Sequence, residues 1–462
     1  MRPSSSPSEP AGPGGAGLFD GVLASGGVRV LVSDRAWLQA MLDVEAALAR
    51  ALARSGLIPA EDAEAIGAAC RAELFDVAAL GAAAPDTGTP VVPMVRSLAA
   101  AVGGRAAGHV HRGATSQDVM DTAAMLVTRR AFDPLLEDVH AAAGAAAGLA
   151  AAHRGTVLAG RTLLQHALPT TFGLQAAGWM SGLDSAAARL EDVRATRLAV
   201  QLGGAAGTLA SLGDQGLGVA RFVAEDLGLA EPVLPWHTER TRIAEVAGAL
   251  GEAAGAVAKP ARDVILLAQT EVAEVREGTP GRGGSSTLPH KRNPIAAVGA
   301  AAGAGRAPGL VATLLSSMAH EHERAAGPWH TEWVTLSQLL STVGSAAAWL
   351  RDCLEHLEVD AARMRSNLDL TGGLLLAERV ATALAPAVGR LAAHDAVERA
   401  AAEAAAAGRP FADALAGIPE IREHLSNEEI AALLDPAGYL GSAGAFVDRA
   451  LEAHRGRREG HP

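Results

Sequence analysis

Gly283-Gly284-Ser285-Ser286-Thr287-Leu288-Pro289-His290-Lys291-Arg292-Asn293-Pro294 interrupts a chain otherwise built for long helices. Paired glycines, paired serines and two prolines cannot continue a helix, so this stretch is a loop. It follows Arg276-Glu277-Gly278-Thr279-Pro280-Gly281 and ends where the next helical pattern begins, near Asn293. The residues alone allow two roles. One is a flexible connector that ends in a capping asparagine. The other is a mobile lid whose hydroxyls, ammonium and amide close over an anion and supply both a proton-transfer group and charge stabilisation.

Working outward, the pattern predicts long helices near 117–153, 169–200, 236–276, 293–320 and 330–357, with Pro134 and Pro260 expected to kink or divide two of them. Upstream, apolar residues recur at three- and four-residue spacing from Trp37 to Leu48, behind Ser33 or Asp34 as N-cap and ending near Ser55-Gly56. Beyond about Asp360 the segments shorten, with breakers at Gly372-Gly373, Pro386, Gly408-Pro410 and Pro436. The expected domains are a helical N-terminal domain over 18–114, a central bundle over 115–360 carrying the loop 278–294, and a helical C-terminal domain over 361–462. The Pro/Ser/Gly-rich start predicts a disordered tail over 1–17; it has no apolar stretch of the signal-peptide kind.

Composition fits rods packed closely together. Hydrophobic residues make up 49% and aromatics only 3%, so much of the apolar share is alanine, the best helix former. Alanine-rich faces on such long rods exceed what one subunit covers, which predicts self-association. A net charge of -12 offers no bulk attraction for nucleic acid or an anionic membrane, so any anion site must be built locally. No run of large apolar residues long enough to span a bilayer is evident. Cys70 and Cys353 are too few and too far apart for a disulfide scaffold. They are expected to be inert buried thiols in a reducing, cytoplasmic setting.

Two further segments carry polar chemistry. His111-Arg112-Gly113-Ala114-Thr115-Ser116-Gln117-Asp118 sets a hydroxyl pair at a helix start, which reads either as an N-cap or as a carboxylate site at the positive end of the helix. Gly160-Arg161-Thr162-Leu163-Leu164-Gln165 is the other. The loop 283–294 resembles the GSSxMPxKxN signature of the fumarase/aspartase superfamily, with Leu288 in place of Met. The two segments resemble that superfamily's HxGxTSxD and GRTHxQ stretches, in the same order along the chain. The resemblance implies an all-α, three-domain fold with a central long-helix bundle, a homotetramer with active sites shared between subunits, and a small polycarboxylate substrate with no cofactor or metal. It puts proton transfer on Ser285, charge stabilisation and substrate holding on Lys291 and Asn293, and substrate contacts on Thr115, Ser116 and Gln165, with Arg292 beside them. His111 reads equally as part of that pocket or as a structural residue.

Two departures narrow the reaction. The GRTHxQ histidine falls at Leu163, and the glutamate with which it pairs in many members falls at Val298. Losing both is physically coherent, because a buried glutamate without its partner costs several kcal/mol, on the order of 3–5. A reaction whose leaving group is a carboxylate, with a conjugate-acid pKa of about 4, needs no acid to expel it. The segment Glu323–Trp333 carries Trp329, His330 and Trp333 where adenylosuccinate lyases carry serines and an arginine, and indoles make no anion clamp. The Trp329/Trp333 pair fits core or interface packing as well. His320 and His322, read on a helix, face apart and make no zinc pair. The segment Glu323–Trp333 resembles instead the pattern of the superfamily's cycloisomerases, and that resemblance implies interconversion of 3-carboxy-cis,cis-muconate and 4-carboxymuconolactone in protocatechuate breakdown. An adenylosuccinate lyase-like C–N lyase and a catalytically silent structural bundle are the alternatives.

Overall fold

The computed structural model describes residues 17–459, with the side chains of residues 458 and 459 left aside. Of the expected tail, residues 1–16 lie outside the described residues. The fold is all-α with two small two-stranded sheets. Its longest helices are α1 (Asp34–Arg54), α2 (Ser116–Ala152), α3 (Phe172–Thr196), α4 (Thr241–Leu267), α5 (Ile295–Ser316) and α6 (Pro328–Glu355). Ser33 caps α1 through its side chain, which accepts from the Ala36 amide.

The chain divides into two compact units: residues 1–140, 185–258 and 299–350, and residues 141–184, 259–298 and 351–462. In the first, α1 buries Leu38, Met41, Leu42, Leu48 and Leu52. Arg54 stacks over the Phe222 ring at 3.8 Å. Glycine permits the close approach of α5 and α6. A Cβ on Gly299 would stand 2.9 Å from the Trp349 ring, and one on Gly303 would stand 3.0 Å from the Ala346 Cβ. The small-residue faces are thus packing surfaces, as the composition predicts. By length and composition α5 could also cross a membrane, with a mean hydropathy of 1.3 over its most apolar window, 39% of which is buried within the chain.

In the second unit, β1 (Val157–Thr162) and β2 (Gln165–Thr171) form an antiparallel hairpin, and β3 (Val275–Glu277) pairs with β4 (Leu357–Val359). Helices Ala377–Val388 and Arg390–Ala407 pack a core of Val380, Leu384, Val397, Phe411, Leu415 and Ile421.

Several sequence expectations are corrected. Pro134 and Pro260 lie inside α2 and α4 and divide neither; Pro308 and Pro386 are likewise inside helices. The helix expected from 169 starts at Phe172, because residues 165–171 pair as a strand. The one expected over 236–276 starts at Thr241, because Trp236, His237 and Arg240 are tied into a buried polar cluster instead. His320 and His322 follow the end of α5 in irregular backbone, His322 at φ +45°, so their helical geometry does not apply.

Candidate active site

The signature segment forms a loop pinched at its neck. The Asn293 amide nitrogen donates to the Gly283 carbonyl at 2.8 Å, and the Asn293 side-chain amide donates to the same oxygen at 3.1 Å. Gly284 and Arg292 form a β-bridge just above. Gly283 adopts φ +77°, and any Cβ there would overlap the Asn293 carbonyl oxygen, so glycine is required twice over. Below the neck, Glu277 accepts from the Ala296 and Ala297 amides at 3.1 and 2.8 Å, capping α5. Arg282 pairs with Asp352. The lid is therefore tethered at both ends to rigid elements.

Ser285 is half-buried inside this loop. Its Oγ accepts from the Thr287 and Leu288 amides at 3.2 and 3.0 Å. Two backbone donors aimed at one hydroxyl oxygen favour the oxygen when it carries negative charge. Lys291 and Arg292 are exposed on the same loop. Ser285, Lys291, Arg292 and Asn293 thus lie on one loop, with the Asn293 amide engaged in closing the neck.

Gln165 opens β2 and pairs across the hairpin with Thr162. It is exposed and makes no hydrogen bond to the loop among the described residues. Leu163 and Leu164 form the two-residue turn, both left-handed at φ +51° and +64° and both exposed. The hairpin is anchored at Arg161, which clamps the buried Glu274 through two nitrogens at 3.0 and 2.7 Å. Val298 is also exposed.

In the other unit, Thr115 immediately precedes α2 and Ser116 is its first residue, as expected. The buried Asp118 organises this helix start. One carboxylate oxygen accepts from the Thr115 and Gly204 amides, each at 2.9 Å. The other accepts from the Gly203 amide at 3.0 Å and lies 2.7 Å from His237 Nε2. Gln117 donates to Asp121 and to the His237 carbonyl, and accepts from Arg324 at 2.8 Å. Arg240, fully buried, bridges Asp121 at 2.8 Å and Glu332 at 3.0 Å. The Trp329 indole donates to Asp121 at 3.0 Å and stands edge-on to Trp333, so Trp329 is a structural member of this cluster.

His111 is held at 2.6 Å by Glu45, a carboxylate on the buried face of α1. Burial lowers the pKa of the His111 imidazolium. The hydrogen bond and charge of Glu45, with the charge of Asp118, outweigh burial and leave it above 6.5. Glu45, His237 and Arg240 escaped the sequence reading, and Asp118 was legible only as the last residue of the HxGxTSxD-like stretch. The legible signal was a carboxylate inside the apolar stripe of α1, between Leu42 and Leu48. Cys70 and Cys353 are buried free thiols. Burial, then Glu45 and Asp43, pushes Cys70 up to about 12, and burial with Glu277 raises Cys353.

A family model described as Lyase matches residues 28–309, and one described as Adenylosuccinate lyase C-terminus matches residues 373–450. Over 440 residues the chain is 50% identical to a 3-carboxy-cis,cis-muconate cycloisomerase of Bradyrhizobium diazoefficiens, covering 94% of this chain and 98% of that one. It is 46% identical over 447 residues to a nitrosuccinate lyase of Streptomyces davaonensis, with 94% of each chain covered. The crystal structure of 3-carboxy-cis,cis-muconate lactonizing enzyme from Pseudomonas putida matches at TM-score 0.90 and 44% identity, covering 95% of this chain and 99% of that one. With the signature loop, the helix-start hydroxyls and the all-helical architecture in the same chain, these matches establish that it belongs to the fumarase/aspartase superfamily of lyases.

Proposed function

We propose that this chain is a cycloisomerase that interconverts 3-carboxy-cis,cis-muconate and 4-carboxymuconolactone by proton transfer next to a carboxylate. One observation carries the reading: Ser285 Oγ receives two backbone N–H groups on a loop that also bears Lys291. The likeness to a named cycloisomerase over nearly the whole chain supports it.

In the lactonising direction a substrate carboxylate oxygen adds to the alkene carbon. The electron pair moves onto the neighbouring carboxylate as an enolate-like dianion, and Ser285 Oγ–H delivers a proton to carbon. In reverse, the Ser285 alkoxide removes that proton and the lactone C–O bond breaks to release a carboxylate. A serine hydroxyl is a weak acid and its alkoxide a strong base, so the step needs the Thr287 and Leu288 amides and the Lys291 ammonium to stabilise the oxyanion. Thr115, Ser116, Gln165, His111 and Arg292 hold the carboxylates, and Asn293 fixes the neck that positions Ser285. The leaving carboxylate departs unprotonated, which suits Leu163 and Val298 at the positions of the missing His/Glu dyad.

The proposed setting is a cytoplasmic homotetramer, with each chain in N-terminal, central and C-terminal helical domains and with segments of different subunits completing each site. A second reading, a lyase that expels another stable anion, is favoured by the 46% identity to the nitrosuccinate lyase. Loss of the conjugated-diene absorbance of carboxymuconate tests both. Turnover should fall about 10²–10⁴-fold in Ser285→Ala with the fold unchanged. Near-normal activity of that variant removes Ser285 from the mechanism. Inactivity on carboxymuconate with activity on nitrosuccinate decides for the second reading.

A further inference from the structure

Glu45 is a buried carboxylate with unbalanced demands. Its side chain is 0% exposed, one oxygen meets His111 Nδ1 at 2.6 Å, and the other oxygen is buried without any partner. A carboxylate with a single hydrogen bond inside a protein is costly unless a cation accompanies it. Arg50, on the same helix as Glu45 and close enough to act on Cys70, is exposed and paired with Asp226. Asp118, from α2, adds negative charge at His111, and Cys70, beside Glu45, stays a neutral thiol up to about 12. The compensating charge is therefore the imidazolium of His111.

The backbone gives an independent sign. His111 stands at φ +59°, a left-handed conformation that non-glycine residues hold only where the surroundings impose it. His111 is also less buried than Glu45, with 20% of its side chain exposed, and among the described residues Nε2 makes no hydrogen bond. Ala114 turns back onto the His111 carbonyl, and Thr115 and Ser116 follow directly.

We propose that Glu45 is a positioning residue that locks His111 as a fixed cation beside Thr115 and Ser116, where it receives one carboxylate of the substrate. The proposal rests on the polyanionic substrate of the cycloisomerase reading and adds a charge to its site. A chain that lacks the His/Glu dyad at 163 and 298 thus carries a different imidazole–carboxylate pair, used for binding and not for expelling a leaving group.

The test is calorimetric binding of propane-1,2,3-tricarboxylate to the full-length protein across pH, in buffers of different ionisation enthalpy, so that proton uptake is measured. With Glu45 holding His111 charged, binding to the wild type near neutral pH should take up little proton. Affinity is lost only as pH rises through the raised pKa. In Glu45→Gln the main group that raises it is gone, and only the charge of Asp118 is left to oppose burial. The imidazole is then neutral near pH 7, binding takes up as much as about one proton, and affinity drops by roughly tenfold or more, with its loss moved to lower pH. Glu45→Asp should recover part of the wild-type profile.

Identical proton uptake and pH profile in wild type and Glu45→Gln overturns the proposal, as does a wild type that does not bind the tricarboxylate. If Glu45→Gln does not fold, His111→Gln replaces it and must abolish the pH-dependent step in affinity; a retained step is equally fatal. A wild type with the expected binding but no turnover of carboxymuconate rejects the cycloisomerase reading and leaves this assignment standing.

Discussion

Gly283→Ala should disable the lid while the rest of the fold stays intact. The methyl group would overlap the Asn293 carbonyl oxygen and stand 3.2 Å from its amide nitrogen. Both are backbone atoms at the neck, so no flexible side chain can swing aside. The neck must open, giving up the two hydrogen bonds that Asn293 donates to the Gly283 carbonyl, at about 1 kcal/mol each. The left-handed φ of +77° adds about 1–2 kcal/mol for any residue with a Cβ. The sum, about 3–4 kcal/mol against the closed loop, is worth on the order of 10²–10³-fold in kcat/KM at about 1.4 kcal/mol per decade. Gly281→Ala is the matched control. Its φ is also +77°, but a Cβ there meets nothing within 4 Å. It should suffer only the dihedral strain, about tenfold. Diene loss measures both variants, and thermal melting should stay at the wild-type midpoint because the loop is exposed and opens locally. Wild-type kcat/KM in Gly283→Ala, or equal damage in the two variants, refutes the neck argument.

Two other changes probe separate parts of the molecule. Arg240→Ala leaves the buried Asp121 and Glu332 without their shared cation and should cost about 3–5 kcal/mol in urea unfolding; a loss under about 1 kcal/mol would mean that the cluster is not held by charge. Restoring the superfamily dyad with Leu163→His and Val298→Glu should change lactonisation by less than about threefold, since a carboxylate leaving group gains little from a positioned acid; a tenfold gain counts against that view of the reaction.

Much of the molecule was legible before its tertiary structure. Helical periodicity over 37–48 and behind Thr115 marked α1 and α2 with their starts, because caps and apolar stripes are local features. Glycine and proline marked the signature loop for the same reason, and its motif named Ser285 and Lys291. The prolines misled. Pro134 and Pro260 were expected to kink or divide two helices, and neither helix is divided, because packing of long apolar faces outweighs the loss of one backbone hydrogen bond. The hairpin over 157–171 was missed, because its short strands alternate weakly and its turn holds Leu163 and Leu164 where Asn-Gly would be the usual signal.

The sequence by itself determined the fold class, the lid and the chemistry available to it, since these depend on residue types at fixed local spacing. Only the tertiary structure decided which polar groups face one another: Glu45 against His111 across 66 positions, Asp118 against His237 across 119, Arg240 between Asp121 and Glu332. Such pairs obey no local periodicity. They arise where long helices carry a charge into a shared interior, and burial then obliges each charge to find an opposite one.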